Sequence, residues 1–465
     1  MLLGIRLKAN PTSRQKLILS QWMGCARAIW NAKCDEERYY ATFARKYYPI
    51  GTYAPIDQKT SQFKNKELTP WLYECPSQII RNAAVNWYQT FQKFMQVQCG
   101  KPKRKPKTDK GSLHLTRELF KFEKGEDGVT RLFVGTKTNN IGYLSFKSHR
   151  SFEIPNSIYI KKERGQYSVS FCYDDGKDNR SMTMDEHLQY LKSATKEYLN
   201  DNVIGIDRGV AIPAQAGNKS YDFTKGQKKN KTKAEQYIKR LQRKLAKQKQ
   251  KTSQRRSKTK CRIANHHAKC GNIRKDFCHQ TSRSLVNHQA KIFIFEDLKT
   301  SKMTMKPKAK QDENGKFVSN KAKQKAGLNR SILDKGWHKL ETFTKYKAYK
   351  AGKVVFKVPA PHTSQECANC SHIHPDNRKS QALFQCGYCG HIDNADRNAS
   401  LVIKKRAINL ILDTGTVLSD RGVLTSADTG RGAKGKSGKS TLLSASGNEP
   451  SKKKRTTTTT IKVAA

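Results

Sequence analysis

The run Val203-Ile204-Gly205-Ile206-Asp207 stays apolar until its last residue, which is a carboxylate. A short apolar run of this kind predicts a strand buried on both faces, at the centre of a sheet. Lys291-Ile292-Phe293-Ile294-Phe295-Glu296 repeats the pattern, again with an acid where the strand ends. Lys353-Val354-Val355-Phe356-Lys357-Val358 predicts a third strand. Residues 226–290 read as a long, strongly basic helical stretch, and 299–330 as a Lys-rich loop. Trp337, Leu340, Phe343 and Lys347 mark a helix face that Gly352 stops. Another helix starts around Asn398-Ala399-Ser400, with Asp396 at its opening. Strands alternating with helices imply an α/β unit.

Asp207, Glu296 and Asp396 suit an RNase H-like core, in which strand ends and a helix start bring three carboxylates together. Three clustered carboxylates repel one another and need a divalent cation to coexist near neutral pH. Two Mg²⁺ (or Mn²⁺) ions held by such hard oxygen ligands would support phosphodiester hydrolysis. Each acid also has a plainer reading, as a turn residue or helix cap. Asp297 competes with Glu296 for the ligand role, and Asp393 competes with Asp396.

Between the third strand and Asp396 lie Cys367-Ala-Asn-Cys370 and Cys386-Gly-Tyr-Cys389. Two C-x-x-C pairs at this separation predict a zinc ribbon, because four thiolates can close a tetrahedron around Zn²⁺. A complete Cys₄ shell leaves no open position, so the zinc is expected to be structural rather than catalytic. The other eight cysteines are scattered singly and read as reduced thiols.

The first half is different. Residues 2–8 predict a strand, and Pro11-Thr12 then open a helical region. Ile80, Ala84, Trp87, Phe91 and Phe94 step by 4, 3, 4 and 3, one face of a packed helix. Lys101-Pro-Lys-Arg-Lys-Pro-Lys107 is barred from helix by its prolines and reads as an exposed cationic loop. From about 115 to 174, Leu132-Phe-Val, Gly142-Tyr-Leu-Ser-Phe and Tyr167 to Tyr173 predict short strands of a small barrel. Asp174-Asp-Gly-Lys-Asp-Asn is a polar break, and a polar helix near 184–200 reads as a linker.

The 91 Lys and Arg against 38 Asp and Glu give a net charge of +53, which calls for a polyanionic partner. Arg240 and Arg243 in the basic helix, with Arg255, Arg256 and Arg274, are candidate nucleic-acid contacts. No apolar stretch is long enough for a membrane helix, and the N-terminus lacks a signal-peptide core, so a cytoplasmic protein is expected. The tail from 413, rich in Gly, Ser, Thr and Lys, reads as disordered. Its Gly435-Lys-Ser-Gly438-Lys439-Ser440 is not a P-loop, since Ala433 stands where the first glycine belongs.

Residues 203–403 resemble the TnpB (OrfB) family of transposon-encoded RNA-guided nucleases, and the related compact type V CRISPR effectors. The resemblance is carried by Gly205-Ile-Asp207-Arg-Gly, Asn272 to His279, Phe295-Glu296-Asp-Leu and Asp334-Lys-Gly-Trp337. It continues through Tyr346-Lys347-Ala, Thr363-Ser-Gln-Glu-Cys367 and Asp396-Arg-Asn398-Ala399, in the family's order. Gly24-Cys25-Ala26-Arg27 with Trp30-Asn31 resembles the family's first helix, and His149-Arg150 its barrel region. The sequence departs at Arg208, where an apolar residue is usual, at Ser371 for a glycine and at Asn394 for an acid.

The resemblance implies a wedge β-barrel (1–11 and 111–175) interrupted by a helical recognition domain (12–110), then a linker (176–200). A split RuvC (RNase H-like) nuclease domain follows (201–362, with a basic helical insertion at 226–290, and 393–412). A zinc ribbon (363–392) interrupts it, and a basic tail (413–465) follows. It further implies a guide RNA, a double-stranded DNA target and a short target-adjacent motif, with Asp207, Glu296 and Asp396 as the catalytic Mg²⁺ ligands. Gln78, Arg81, Asn82 and Arg27 are candidate nucleic-acid contacts on the helical side, with Gln and Asn suited to adenine and Arg to guanine. The rival readings are a guide-dependent DNA-binding repressor without cleavage and a transposase that needs no RNA.

Overall fold

The computed structural model describes residues 2–47, 49, 56–108, 110–124, 130–148, 151–174, 176, 182–380 and 382–426. His149-Arg150 and the 435–440 run lie outside the described residues.

The first unit is built on β1 (Leu2–Ala9), α1 (Ser13–Tyr39) and α2 (Ser77–Met95). It continues with β2 (Gly111–Thr116), β3 (Phe120–Lys124), β4 (Thr130–Gly135), β5 (Asn140–Leu144), β6 (Phe146–Lys147), β7 (Ser157–Glu163) and β8 (Gln166–Asp174). The strands form a five-stranded sheet ordered β2-β7-β8-β1-β6 and a three-stranded sheet β3-β4-β5. Leu113, Leu132, Val134, Ile158, Ile160 and Val169 from both sheets share one core with Leu19 and Ile80 from the helices. Thr12 caps α1 by accepting from the Gln15 amide. The Gln15 side chain then donates to the Ile141 and Tyr143 carbonyls, at 3.0 and 2.9 Å, and ties the helix start to β5. Along α2, Ile80, Ala84 and Trp87 are buried as their spacing predicts, whereas Phe91 is only partly covered and stacks on Trp87.

The basic proline run has no regular structure, but it is strapped to α1. Trp30 and Asn31 donate to the Lys103 and Lys105 carbonyls, and Arg104 and Lys101 pair with Asp35 and Glu37. The run's backbone and two of its cations, Lys101 and Arg104, are thereby held in place.

The second unit runs α3 (Met184–Lys192), α4 (Lys196–Asn202), β9 (Val203–Asp207), β10 (Ala214–Ala216), β11 (Lys219–Tyr221), α5 (Lys225–Lys247), α6 (Gln254–Val286) and β12 (Ile292–Glu296). It then runs α7 (Thr300–Met303), β13 (Lys310–Gln311), β14 (Phe317–Val318), α8 (Ala322–Lys335), α9 (Trp337–Lys350) and β15 (Val354–Val358). It ends with β16 (Leu383–Gln385), β17 (Ile392–Asn394), α10 (Ala395–Leu412), β18 (Thr416–Leu418) and β19 (Leu424–Ser426). Its sheet is ordered β11-β10-β9-β12-β15, with β9, β12 and β15 parallel.

One face of this sheet is covered by α10, α3 and α4, and the other by α6 and α9. This explains why β12 and β15 carry unbroken apolar runs. Residues 184–200 form two helices whose Leu188, Leu191 and Leu199 pack into the core beside Val203 and Ile408. The basic stretch is a hairpin of α5 and α6. Residues 322–335, in the stretch read as loop, form α8, where Ala, Lys and Gln favour helix. The first part of the tail is ordered too: β18 and β19 pair, and Val423 and Leu424 are buried against β15 and its neighbours.

Candidate functional site: three carboxylates beside a cysteine cluster

Asp207 and Glu296 are the last residues of adjacent parallel strands, with Ile206 and Phe295 in register. The two chains therefore leave the sheet side by side. Gly205 fixes the third acid. A Cβ on Gly205 would lie 2.1 Å from the Ser400 carbonyl, so only glycine lets α10 approach β9 this closely. The Ser400 hydroxyl donates to the Gly205 carbonyl at 2.9 Å and accepts from the Gly217 amide at 2.7 Å. Asp396 lies one turn before Ser400 on the same helix face, and Asp207 lies two residues past Gly205 on the same strand face. Anchoring one pair brings the other together. Asp396 Oδ2 lies 3.8 Å from the Cβ position of Gly209, just beyond Asp207.

Asp207 feels the charges of both other acids. Burial, reinforced by the charges of Glu296 and Asp396, pushes the Asp207 carboxyl up to about 7. Burial also raises Glu296, against the Thr363 hydroxyl that donates to it and the Arg208 and Arg406 charges. Burial raises Asp396, opposed by Arg378, whose guanidinium donates to Asp396 Oδ1 at 3.2 Å. Glu296 and Asp396 are 5% and 4% exposed. Burial raises all three carboxyls and the charges of the other two raise Asp207 further, a cost that a divalent cation such as Mg²⁺ on these hard oxygen donors would relieve.

The competing acids point elsewhere. Asp297 pairs with Lys357 at 3.3 Å and Arg421 at 3.9 Å. Asp393 pairs with Arg397 at 3.5 Å on β17. Asn394 caps α10 by accepting from the Asp396 and Arg397 amides, so an amide does there what an acid could do. Arg208 is buried: it pairs with Glu341 at 3.0 Å, donates to the Glu296 carbonyl and lies 5.2 Å from the Phe295 ring centroid.

The four cysteines gather as their spacing predicts, with one sulfur from each lying within 4.8 Å of the others. Cys367 and Cys389 sulfurs are 3.7 Å apart, and Cys370 and Cys386 sulfurs 3.6 Å. Tetrahedral Zn–S bonds of ~2.3 Å require sulfur separations of about 3.8 Å, so the cluster fits a structural zinc. The His391 amide donates to Cys389 and holds its thiol down at about 6, while burial pushes Cys367 up to about 12. Each knuckle turns through a left-handed residue after its second cysteine: Gly390 at φ +70° and Ser371 at φ +64°.

Two asparagines join the knuckles to the acids. Asn377, fully buried, donates to the Gln365 and His372 carbonyls and accepts from the Gly387 amide. Its neighbour is Arg378. Asn398 accepts from the Ala368 amide at 3.0 Å and donates to the Glu366 carbonyl at 2.8 Å, so α10 and the first knuckle share one contact. Arg378 and Asn377 have no spacing signature in the sequence, and only their partners reveal them; Thr363 opens one of the segments that carry the resemblance, but its hydrogen bond to Glu296 shows only here.

The candidate nucleic-acid residues divide. Arg81, Arg240, Arg243 and Arg255 are exposed. Arg256 donates to the Leu245 and Gln248 carbonyls and closes the end of α5, while Arg274 holds the Leu333 carbonyl and Asp334. Asn82 is buried, donating to the His114 carbonyl and Thr116 and accepting from Gln78. Arg27 lines a cavity against β2.

Three family models match this chain: a helix-turn-helix domain of OrfB at residues 1–41, a probable transposase (OrfB) at 172–306 and a Cas12f1-like TNB domain at 337–403. Among the described residues of the first span the chain forms a strand and one long helix that continues into a π-helical turn at Tyr40. A putative RNA-guided DNA endonuclease, InsQ, of Escherichia coli (strain K12) is 26% identical over 85% of this chain and 90% of its own length. CRISPR-associated endodeoxyribonuclease Cas12f1 of Sulfoacidibacillus thermotolerans is 47% identical over 12% of this chain and 13% of its own. A cryo-EM structure of a Cas12f1-sgRNA-target DNA complex matches in fold, with TM-score 0.51, 12% identity, and coverage of 87% of this chain and 98% of that one.

Fold and site thus define a mixed α+β multidomain protein with a zinc-ribbon-like cysteine cluster set against a group of acids. Within that class, the chain is TnpB (OrfB)-like: the models and relatives it matches are those of compact RNA-guided nucleases.

Proposed function

We propose that this protein is an RNA-guided DNA endonuclease whose cutting site is a RuvC-type centre formed by Asp207, Glu296 and Asp396. The observation that carries the reading is the placement of these acids: Asp207 and Glu296 end adjacent parallel strands, and Asp396 stands in the first turn of α10, which packs against Gly205. It is supported by the name of the InsQ relative, which spans most of both chains. In this reading the first unit is the wedge barrel with its helical recognition domain, and 201–362 with 393–412 is the nuclease domain. Residues 363–392 are the ribbon. Guide RNA and target DNA neutralise the +53 charge, and base pairing reads the target while the protein reads a short adjacent motif. The exposed Arg81 and the neighbouring Gln78 are the proposed motif contacts, and Arg240, Arg243 and Arg255 track phosphates.

Two Mg²⁺ (or Mn²⁺) ions held by the three carboxylates would activate the attacking water and stabilise the leaving oxygen. The chain's own residues prepare that site. Thr363 and the buried Arg208 fix the Glu296 side chain and its carbonyl, Asn394 sets the first turn of α10, and Arg378 counters the charge on Asp396. A zinc held by Cys367, Cys370, Cys386 and Cys389 would keep Asn377 and Arg378 in register with α10. The cell compartment that follows is the prokaryotic cytoplasm; among the described residues no helix is long and apolar enough to cross a membrane.

The test is Asp207→Ala in the purified protein–RNA complex. The variant retains its RNA and loses cutting of a matched target in Mg²⁺. Normal cutting by the variant refutes the assignment, and a wild-type complex that binds but never cuts supports the repressor reading instead.

A further inference from the structure

A cavity of ≈610 Å³ lies in the first unit, between α1, α2 and the β2–β7 edge, and shares no residue with the carboxylate site. Its volume falls within the ~300–1,000 Å³ of pockets that hold small ligands. Its walls are of two kinds. One is aromatic: His114 and Tyr159 stack with ring centroids 4.6 Å apart and planes 13° from parallel. The Asn86 side-chain amide lies 3.2 Å from His114 Nδ1 and orients the ring by a hydrogen bond. Burial keeps His114 below its ordinary value.

The other wall is cationic, and none of its described residues is acidic. Arg27 comes from α1, Lys162 from β7, and Lys105 from the proline run strapped to α1. Lys105 is exposed as a residue, but its Nζ sits 3.2 Å from the Trp30 ring centroid and the packing around it lowers it to about 8, so this ammonium gains from an incoming anion. At the rim Lys110 is already paired with Glu163, at 3.7 Å.

We propose that this cavity holds a single unpaired nucleotide, its base stacked on the His114–Tyr159 pair and its phosphate held by Arg27, Lys105 and Lys162. The proposal rests on the nucleic-acid-guided reading above and adds a site to it. A flat aromatic pair accepts any base face, and a surrounding ring of cations with no described acid selects a phosphodiester over a neutral ligand. A duplex is too wide for a pocket of this size, whereas one extruded nucleotide fits it. The nucleotide belongs either to the guide RNA or to a locally opened target strand, and the experiment separates the two.

The protein, with the RNA that co-purifies with it, is irradiated with ultraviolet light before and after addition of a matched target duplex. Nucleotide-bearing peptides are then mapped by mass spectrometry. The expected result is an adduct on the peptide carrying Tyr159 or His114. A ribonucleotide adduct present without target assigns the site to the guide, and a deoxyribonucleotide adduct that needs target assigns it to the DNA. Tyr159→Ala weakens binding of that strand by about 5- to 150-fold, the range for loss of one stacked base, while Tyr159→Phe keeps it. If Tyr159→Ala folds poorly, Ser112→Trp at the exposed rim closes the cavity from outside and gives the same loss. Adducts confined to other peptides, with unchanged affinity in Ser112→Trp, overturn the proposal. A wild-type protein that carries no RNA fails the guide reading instead, and a single-stranded oligonucleotide then probes the cavity by the same adducts.

Discussion

Replacing Asp207 with asparagine should make the metal-free protein more stable, and increasingly so as the pH rises. An unfolded aspartate titrates near 3.8, whereas in the fold burial, Glu296 and Asp396 push Asp207 up to about 7. Between those values the folded chain binds a proton that the unfolded chain does not, so stability falls as pH rises. The loss starts as pH climbs past 3.8 and is complete above about 7. Each pH step of one is worth about 1.4 kcal/mol, so the full penalty is about 4 kcal/mol, of which about 2 kcal/mol is present at pH ~5.5. An asparagine side chain has the same shape as the aspartate and no charge. Urea unfolding of wild type and Asp207→Asn, in magnesium-free buffer without a chelator that would strip zinc, should show the variant ahead by about 2 kcal/mol at pH ~5.5 and about 4 kcal/mol at pH ~8. Adding Mg²⁺ or Mn²⁺ at the higher pH should stabilise the wild type and leave the variant nearly unchanged. A gain that stays flat with pH, or a variant less stable than wild type at pH ~8, would refute the idea that the three acids strain one another.

The close approach of α10 to β9 makes a second prediction. Gly205→Ala puts a Cβ 2.1 Å from the Ser400 carbonyl and 2.7 Å from the Lys404 amide, both backbone atoms that cannot rotate away. It should destabilise the nuclease unit by about 3 kcal/mol or more, read by chemical denaturation, and an effect under ~0.5 kcal/mol would mean that the helix slides freely. In the ribbon, Ser371 adopts φ +64°, where its counterpart Gly390 has +70°. Ser371→Gly should relieve roughly 1 kcal/mol of backbone strain and slow zinc loss to a competing chelator, whereas faster loss would show that the serine side chain contributes more than its strain takes away.

Much of this fold is legible locally. Apolar runs ending at Asp207 and Glu296 become central strands because a sheet covered on both faces demands them. The C-x-x-C pairs close a cluster because their spacing leaves little freedom. Elsewhere local pattern misleads. Residues 184–200 look polar, yet Leu188, Leu191 and Leu199 suffice to pack two short helices onto the sheet. Residues 413–426 resemble the rest of the tail, yet a few apolar residues let them pair and join the core.

By itself, then, the sequence determined which residues could carry chemistry: three acids at element ends, four cysteines at ligand spacing, and cations in excess. Only the tertiary structure decided how they meet. Gly205 against Ser400 sets the distance between Asp396 and Asp207, and Arg378 reaches Asp396 from inside the ribbon. Arg208, which in the sequence is only a departure from an apolar residue, lies buried beneath Glu296. The physical reason is range. Periodicity and spacing report what neighbours along the chain can do, whereas charge repulsion, close backbone approach and burial depend on residues brought together from opposite ends of the domain.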